Sequence, residues 1–288
     1  MGRVVITLIQ VSGISAIPEN LTSPNSVEKI IFQALKNDPN FYYYESINDL
    51  LFELSLRKNI ISSAILMSRS SVSFEVFSTS RCNPKYWHLT SNGGFSLKSG
   101  VFPSEAIEDI FKNGSLYGFE CATAIMIIYY HAVLKSIDQS LFNQLFRNLY
   151  LYSWHADSDL GIHSKNMDYI IPGDVVYFNN PDVNPRVIWL RGENAVLLSD
   201  GRFFAHGVGI QTGKEIIRFL NENRKPGSTI SAYQTQYITR PAFNYLSQFS
   251  RPMRVNPSQT KFQYAVIHHN QPSISCEQYY NFLTRYYQ

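Results

Sequence analysis

The stretch from Phe119 to Leu134 constrains this chain more than any other, because almost every side chain in it is apolar. A helix that is apolar on all sides must be buried. The stretch is too short to cross a bilayer and contains His131, so no membrane partner is expected. A chain of 288 residues, 44% of them hydrophobic, can surround such a helix. The sequence therefore predicts a globular protein built around a buried helix that begins at Phe119.

Helices dominate the first half of the chain and strands the second. Ser46 is predicted to cap a helix over residues 46–67, Pro103 to open another, and Thr212 and Glu215 to form a capping box. Alternating or apolar runs predict strands near the N-terminus and over 72–78, 174–180, 193–199 and 202–207. This order of elements indicates the α+β class.

Cys121 is the leading candidate for a reactive residue. It follows a glycine-bearing loop and lies in the first turn of the predicted buried helix, where the helix N-terminus stabilises a thiolate. Glu120 beside it is a charge on an otherwise apolar segment. The segment alone leaves two interpretations open, a catalytic thiol or a small buried side chain next to a capping acid.

A hairpin supplies a candidate partner for this thiol. If Asp200-Gly201 forms a two-residue turn, Ala195 faces His206, and Glu193 lies diagonally across from His206 on the same face. A sheet-borne acid and imidazole facing a helical cysteine would form a nucleophilic site. An exposed Glu–His pair is the alternative, and a register shift of one residue would separate the two side chains.

Several other functions are disfavoured by the sequence. A net charge of +3 without a basic cluster argues against a nucleic-acid partner. Cys82, Cys121 and Cys276 form no C-x-x-C motif, so neither zinc nor a disulfide framework is expected, and synthesis in a reducing compartment follows. Asp157, Asp159 and Asp168 only partly match a calcium loop, because Ile162 replaces its essential glycine. No metal site and no cofactor are predicted.

The composition changes near residue 250, beyond which Pro, Asn, Gln, Ser and Tyr dominate. We therefore predict one catalytic domain over residues 1–250 and a C-terminal extension over 251–288. Within the extension, 262–267 is predicted as an edge strand and 276–287 as a short helix.

Several motifs, taken together, resemble one known family. They are Tyr117-Gly-Phe-Glu-Cys-Ala-Thr-Ala-Ile125, Arg191-Gly-Glu-Asn194, Phe204-Ala-His-Gly207 and Phe52-Glu-Leu-Ser-Leu-Arg57. In order and spacing, from about residue 40 to about 245, the chain resembles the spore-coat protein-glutamine gamma-glutamyltransferases of endospore-forming bacteria. The resemblance implies a papain-like or NlpC/P60-like core, with the catalytic cysteine at the N-terminus of a buried helix packed on an antiparallel sheet.

The resemblance also assigns roles to individual residues. It implies that Cys121 is the nucleophile, Glu193 the catalytic carboxylate, Glu120 a second and partly redundant one, and His206 the active-site histidine. The family's substrate tunnel is implied to be lined by Phe74, Trp154, Tyr177 and Trp189. Trp189 departs from the pattern. The family's tryptophan directly precedes Arg-Gly-Glu-Asn, where this chain has Leu190, and Trp189 lies one place earlier, where it would point to the other face of a strand.

The implied activity is a calcium-independent transglutaminase that joins glutamine and lysine side chains of proteins and releases ammonia. The implied partners are proteins with accessible Gln and Lys, most simply spore coat proteins. Synthesis in the cytoplasm and final residence in the spore coat or on the spore surface follow from the same resemblance. A cysteine amidase or peptidase of the NlpC/P60 type and a non-enzymatic coat protein are the alternatives.

Overall fold

The computed structural model describes residues 8–14, 17–18, 21–250 and 265–286. Its helices are α1 (Val27–Asn37), α2 (Ile47–Arg69), α3 (Pro103–Lys112), α4 (Cys121–Leu134), α5 (Gln139–Leu145), α6 (Gly213–Glu222), α7 (Phe243–Ser247) and α8 (Cys276–Tyr286). Its strands are β1 (Ile9–Val11), β2 (Tyr42–Tyr44), β3 (Ser73–Phe74), β4 (Trp87–Leu89), β5 (Phe95–Leu97), β6 (Gly118–Phe119), β7 (Tyr150–Leu151), β8 (His163–Asn166), β9 (Val175–Asn179), β10 (Gly192–Leu197), β11 (Phe203–Ala205), β12 (Gly209–Gln211) and β13 (Tyr233–Arg240).

A six-stranded antiparallel sheet lies at the centre, with strand order β12-β11-β10-β9-β13-β8. One face carries Val196 and Phe204, which pack in the large core together with α2 and α4. The other face carries Ala195 and Phe203, which pack against Ile216 and the rest of the apolar side of α6. Both faces are buried, and the α+β prediction, with a buried cysteine helix on an antiparallel sheet, is confirmed.

Helix α4 is buried at every one of its positions. It begins at Cys121, two residues later than predicted, because Gly118 and Phe119 form β6 and pair in parallel with β3. Glu120 then turns the chain into the helix as its N-cap. None of the helices in the described residues is long and apolar enough to cross a membrane.

Buried charges join α2 to the sheet. The Asp174 carboxylate, just before β9, accepts hydrogen bonds from Arg57 Nη1 at 2.7 Å and from Arg240 Nε and Nη2 at 2.6 and 2.7 Å. Arg57 Nε also donates to Glu53 at 2.8 Å. These two cations hold the pKa of Asp174 below its usual value. Loss of one partner of such a pair typically costs about 3–5 kcal/mol, so the network fixes α2 against the sheet.

The register predicted for the β10–β11 hairpin was wrong by one residue. Ala195 pairs with Ala205, not with His206, and the Leu198 N–H donates to the Arg202 carbonyl at 2.8 Å. The loop therefore has three residues and ends at Gly201, whose φ of +82° is left-handed. Side chains alternate faces along a strand, so the predicted diagonal pairing of Glu193 with His206 is lost.

Of the other predicted elements, some are confirmed and some differ in length or type. Ser46 caps α2, α3 begins at Pro103, and the Thr212 capping box opens α6, all as predicted. The strand predicted over 72–78 shortens to β3 and continues into a 3-10 helix at Phe77–Thr79. Of the edge strand predicted over 262–267, residues 262–264 lie outside the described residues, and 265–267 are not in a strand. Helix α8 matches the helix predicted for the extension, except that residue 287 lies outside the described range.

Candidate active site

Cys121 is the first residue of α4, and none of it is exposed to solvent. The Asn194 side-chain amide, on β10, donates a hydrogen bond to Cys121 Sγ at 3.3 Å. Burial raises the pKa of the thiol well above 9.0, and the charges of Glu193 and Glu120 raise it further. The thiol is therefore protonated at neutral pH in this arrangement and needs a base before it can act as a nucleophile.

Glu120 is occupied as the N-cap of α4. Its Oε2 accepts from the Ala122 N–H at 2.9 Å, and its Oε1 accepts from the Thr123 N–H and hydroxyl at 2.6 and 2.7 Å. Ser273 N–H adds a further bond to Oε2 at 3.3 Å. Burial raises the pKa of Glu120, while these bonds favour its ionised form.

Glu193 is equally buried but much less engaged. Its Oε2 has no hydrogen-bond partner within the described part of the chain. Burial, and next the charge of Glu120, raise the pKa of this carboxyl well above 4.5. The charge of Glu193 in turn raises the pKa of the thiol, after the larger effect of burial. A buried carboxyl with a raised pKa and an open oxygen is suited to accept a proton.

His206 contacts the residues that lead into α4, and its role as the active-site histidine stays a prediction. Its Nε2 lies 3.1 Å from the Phe119 carbonyl and 3.3 Å from the Ser73 carbonyl, so Nε2 carries a hydrogen and donates it. The ring stacks on Phe119 with centroids 5.1 Å apart. Burial lowers the pKa of His206 to about 4, which keeps the ring neutral.

The four residues predicted to line a tunnel lie in different surroundings. Trp154 is buried and its Nε1 donates to the Ile274 carbonyl at 2.9 Å, and Tyr177 is buried and its hydroxyl donates to the Ser273 carbonyl at 2.9 Å. The Phe74 ring lies 6.0 Å from the His206 ring. Trp189 is half-buried in a 3-10 helix, not on a strand, and precedes β10. A tunnel role for these residues stays a prediction.

Sequence reasoning missed Asn194, Thr123 and the C-terminal residues Ser273 and Ile274. Asn194 could have been found, because it follows Glu193 in a motif already singled out. The Thr123 hydroxyl accepts a hydrogen bond from the Ser153 N–H at 2.9 Å and donates one to Glu120. It therefore connects Glu120 to the loop at Ser153. Ser273 and Ile274 had no local signal, since their position depends on the path of the whole extension.

The carboxylates that partly match a calcium loop are engaged elsewhere. Asp157 caps a short 3-10 helix, Asp159 accepts from the Tyr245 hydroxyl at 2.7 Å, and Asp168 accepts from Gln236 at 3.1 Å. Within the described ranges, no group of three or more His, Cys, Asp or Glu side chains could hold a metal ion.

This arrangement defines a class of protein. A buried helix begins with a cysteine, packs on an antiparallel sheet, and is flanked by buried carboxylates, as in α+β cysteine enzymes with a papain-like core.

Comparison with known proteins then identifies the family. The family model described as protein-glutamine gamma-glutamyltransferase matches residues 8–250. An enzyme of that name from Halalkalibacterium halodurans is 49% identical over 96% of this chain and 97% of its own. One from Bacillus mycoides is 47% identical over 81% of this chain and 85% of its own. The chain therefore belongs to the protein-glutamine gamma-glutamyltransferases, the transglutaminases.

A solved structure agrees with this assignment. The transglutaminase from Geobacillus stearothermophilus, described as being without its C-terminal extension, matches with a TM-score of 0.70 and 48% identity. The match covers 72% of this chain and 100% of that chain. The resemblance found in the sequence to this family is thus confirmed.

The lowered pKa of His206 predicts a pH-dependent stability. The ordinary pKa is 6.5 and the folded value is about 4, so between these values the unfolded chain binds a proton that the folded chain does not. Stability therefore falls as pH falls from 6.5 to 4. We expect His206→Gln to reduce this slope by up to one proton, or about 1.4 kcal/mol per pH unit. Chemical denaturation between pH 4 and 7 measures it.

The matched control for this experiment is His88→Gln, which changes an exposed histidine. That variant should keep the parental slope. An unchanged slope for His206→Gln would show that the buried ring does not contribute.

Proposed function

We propose that this transglutaminase works through a thioester on Cys121. The thiol sulfur attacks the γ-carboxamide carbon of a protein-bound glutamine, and the C–N bond breaks to release ammonia. A lysine ε-amine then attacks the thioester, which restores the thiol and leaves an isopeptide bond. The observation that carries the proposal is the buried Cys121 at the start of α4, whose Sγ accepts a hydrogen bond from Asn194, the residue after the buried Glu193. Family membership supplies the overall reaction and its protein substrates.

Glu193 is the general base in this proposal. Its open Oε2 accepts the thiol proton and passes it to the departing ammonia. Glu120 is already held by three donors of the first turn of α4, so its main contribution is to cap the helix. His206 would keep Phe119 and the residues after it in place.

Calcium is not needed for this chemistry in the proposal. Calcium takes six to eight oxygen ligands. In the partial calcium loop, the Asp159 and Asp168 carboxylates instead accept hydrogen bonds from Tyr245 and Gln236. Amine incorporation in the presence of a chelator tests this independence.

Amine incorporation tests the proposed activity and its nucleophile. We expect the parent to attach a labelled primary amine to a glutamine-bearing protein and to release ammonia, with the same rate in the presence of EDTA. Cys121→Ala should abolish both products, while the matched control Cys82→Ala should retain them, because Cys82 is partly exposed, whereas Cys121 is buried at the start of α4. Ammonia without amine incorporation would instead indicate an amidase, and no ammonia from several glutamine donors would indicate a structural protein.

Isosteric substitutions separate the two glutamates. Glu193→Gln removes the proposed base and should lower kcat by about 10²–10⁴-fold. Glu120→Gln should mainly weaken the helix cap, with a loss of roughly 0.5–2 kcal/mol in the free energy of unfolding. Because the base must be ionised and burial raises its pKa, the acid limb of kcat/KM in the parent should lie above pH 4.5. Steady-state kinetics measure the changes in kcat and the pH profile, and denaturation measures the free energy of unfolding. A larger loss of kcat in Glu120→Gln than in Glu193→Gln would assign the base to Glu120.

We further propose that the substrates are spore coat proteins and that the chain is made in the cytoplasm and ends in the coat. The resemblance of the Cys121 and Glu193 motifs to spore-coat transglutaminases supports this location. The free thiols of Cys82, Cys121 and Cys276 suit synthesis in a reducing compartment. Immunodetection in fractionated sporulating cells checks it, and a signal absent from the coat fraction would contradict it.

A further inference from the structure

The catalytic thiol is covered by a segment from the far C-terminus. Ser273 and Ile274 are both buried, and they lie on the site already described although they are about 150 positions from Cys121 in the sequence. The family model ends at residue 250, and the matching Geobacillus stearothermophilus structure is described as being without its C-terminal extension. The segment that covers the thiol therefore lies outside the part of the chain shared with the family model.

The contacts of this segment converge on main-chain carbonyl groups. The Ile274 carbonyl oxygen accepts from Asn194 Nδ2 at 2.8 Å and from Trp154 Nε1 at 2.9 Å. The Ser273 carbonyl oxygen accepts from the Tyr177 hydroxyl at 2.9 Å. Such contacts recognise a carbonyl rather than a side chain, so another carbonyl of suitable shape can replace the one now present.

One of these donors is shared with the nucleophile. Asn194 Nδ2 lies 2.8 Å from the Ile274 oxygen and 3.3 Å from Cys121 Sγ. A carbonyl oxygen and the attacking sulfur therefore meet on the same amide group. This is the geometry that an acyl oxygen needs when a thiol attacks its carbon, with preorganised N–H donors placed where negative charge develops.

The segment is held in an uncommon backbone conformation at Ser273. Ser273 has a φ of +58°, in the left-handed region that a serine rarely adopts, whereas Asn270, with a φ of +52°, is a residue type that this region accepts. The Ser273 hydroxyl faces the thiol closely enough to favour its ionised form, yet it makes no hydrogen bond of full geometry within the described residues. A strained segment with an unpaired buried hydroxyl is one that a better-fitting occupant can displace.

We propose that Asn194 Nδ2 and Trp154 Nε1 form the seat for the γ-carbonyl oxygen of the glutamine substrate, and that the Ile274 carbonyl occupies this seat as an internal competitor. The inference rests on the proposed function and names the site of its acyl oxygen. When the Cys121 sulfur bonds to the carboxamide carbon, the electron pair of the C=O bond moves to oxygen, and the two N–H groups stabilise that charge. Collapse of the adduct re-forms C=O and expels ammonia, which carries the proton relayed by Glu193.

Loosening the segment tests the competition. Ile274→Asp places a charge where a buried isoleucine packs in the core, and should lift the segment from the site. The matched control is Ile230→Asp, because Ile230 is 53% exposed. We expect Ile274→Asp to speed alkylation of Cys121 by iodoacetamide at least tenfold and to raise kcat/KM for amine incorporation, while Ile230→Asp changes neither. Peptide mass spectrometry reports the Cys121 adduct separately from those of Cys82 and Cys276.

Trp154→Phe tests the seat itself, because it keeps a ring but removes the N–H. The proposal requires two opposite effects in the full chain: faster alkylation of Cys121, since the segment loses a donor, and a kcat lowered roughly 10²–10³-fold with KM little changed, since the adduct loses a donor. Faster alkylation with an undiminished kcat would mean that the indole only holds the segment. That result would contradict the proposal that Trp154 Nε1 binds the acyl oxygen of the substrate.

The outcomes separate this inference from the proposed function. If the parent and Ile274→Asp both fail to incorporate amine, the proposed function fails, yet the alkylation rates still report whether the segment covers the thiol. Unchanged alkylation in a folded Ile274→Asp variant overturns the competition. If Ile274→Asp does not fold, as judged by its melting transition, Trp154→Phe and Asn194→Ala supply the same readout.

Discussion

The arrangement of the site depends on how the main-chain N–H groups in the first turn of α4 find hydrogen-bond acceptors where water cannot reach. The open N–H groups of a helix start need acceptors, and α4 is buried along its whole length. Glu120 supplies one carboxylate for the Ala122 and Thr123 N–H groups and for the Thr123 hydroxyl. Glutamate is an unusual N-cap, but its longer side chain also reaches the Ser273 N–H on a distant segment. The cap thus joins the helix, the loop at Ser153 and the C-terminal segment.

The cap also affects the neighbouring thiol. A helix N-terminus alone would favour a thiolate at Cys121. Burial opposes that effect and raises the pKa of the thiol, and the charges of Glu193 and then Glu120 raise it further through a medium of low dielectric. The site therefore differs from a preformed thiolate–imidazolium pair. His206 donates its Nε2–H to the Phe119 and Ser73 carbonyls, so in the proposed mechanism the thiol proton moves to the Glu193 carboxylate.

Much of the fold could be predicted from local patterns, and what failed was long-range. The cap at Ser46, the capping box at Thr212 and the apolar content of α4 are local properties, and they were predicted correctly. The hairpin register was not, because a two-residue and a three-residue loop both suit Asp200-Gly201 and only packing on both faces of the sheet distinguishes them. Strand β13 was missed for a related reason, since its polar half pairs at the sheet interior only after the sheet has assembled.

For the site residues, too, local patterns were informative and long-range contacts were missed. Cys121 and Glu120 were singled out because they are adjacent in a segment that is otherwise apolar, and Glu193 because of the predicted hairpin and a motif that resembles a family. Asn194 was passed over although it follows Glu193 directly, and its amide donates a hydrogen bond to the thiol. Ile274 could not have been found at all. No local pattern states that a carbonyl from a polar C-terminal extension will meet an indole on the loop after β7.

A buried pair of N–H donors explains why such a site would keep an occupant. If nothing lay against Asn194 Nδ2 and Trp154 Nε1, each would be a buried donor without an acceptor, at a cost of about 1–3 kcal/mol per group. The Ile274 carbonyl removes that cost in the absence of substrate. An arriving carboxamide then exchanges one carbonyl for another, so the hydrogen bonds nearly cancel. The preference is decided by the strain at Ser273 and by the interactions of the rest of the substrate.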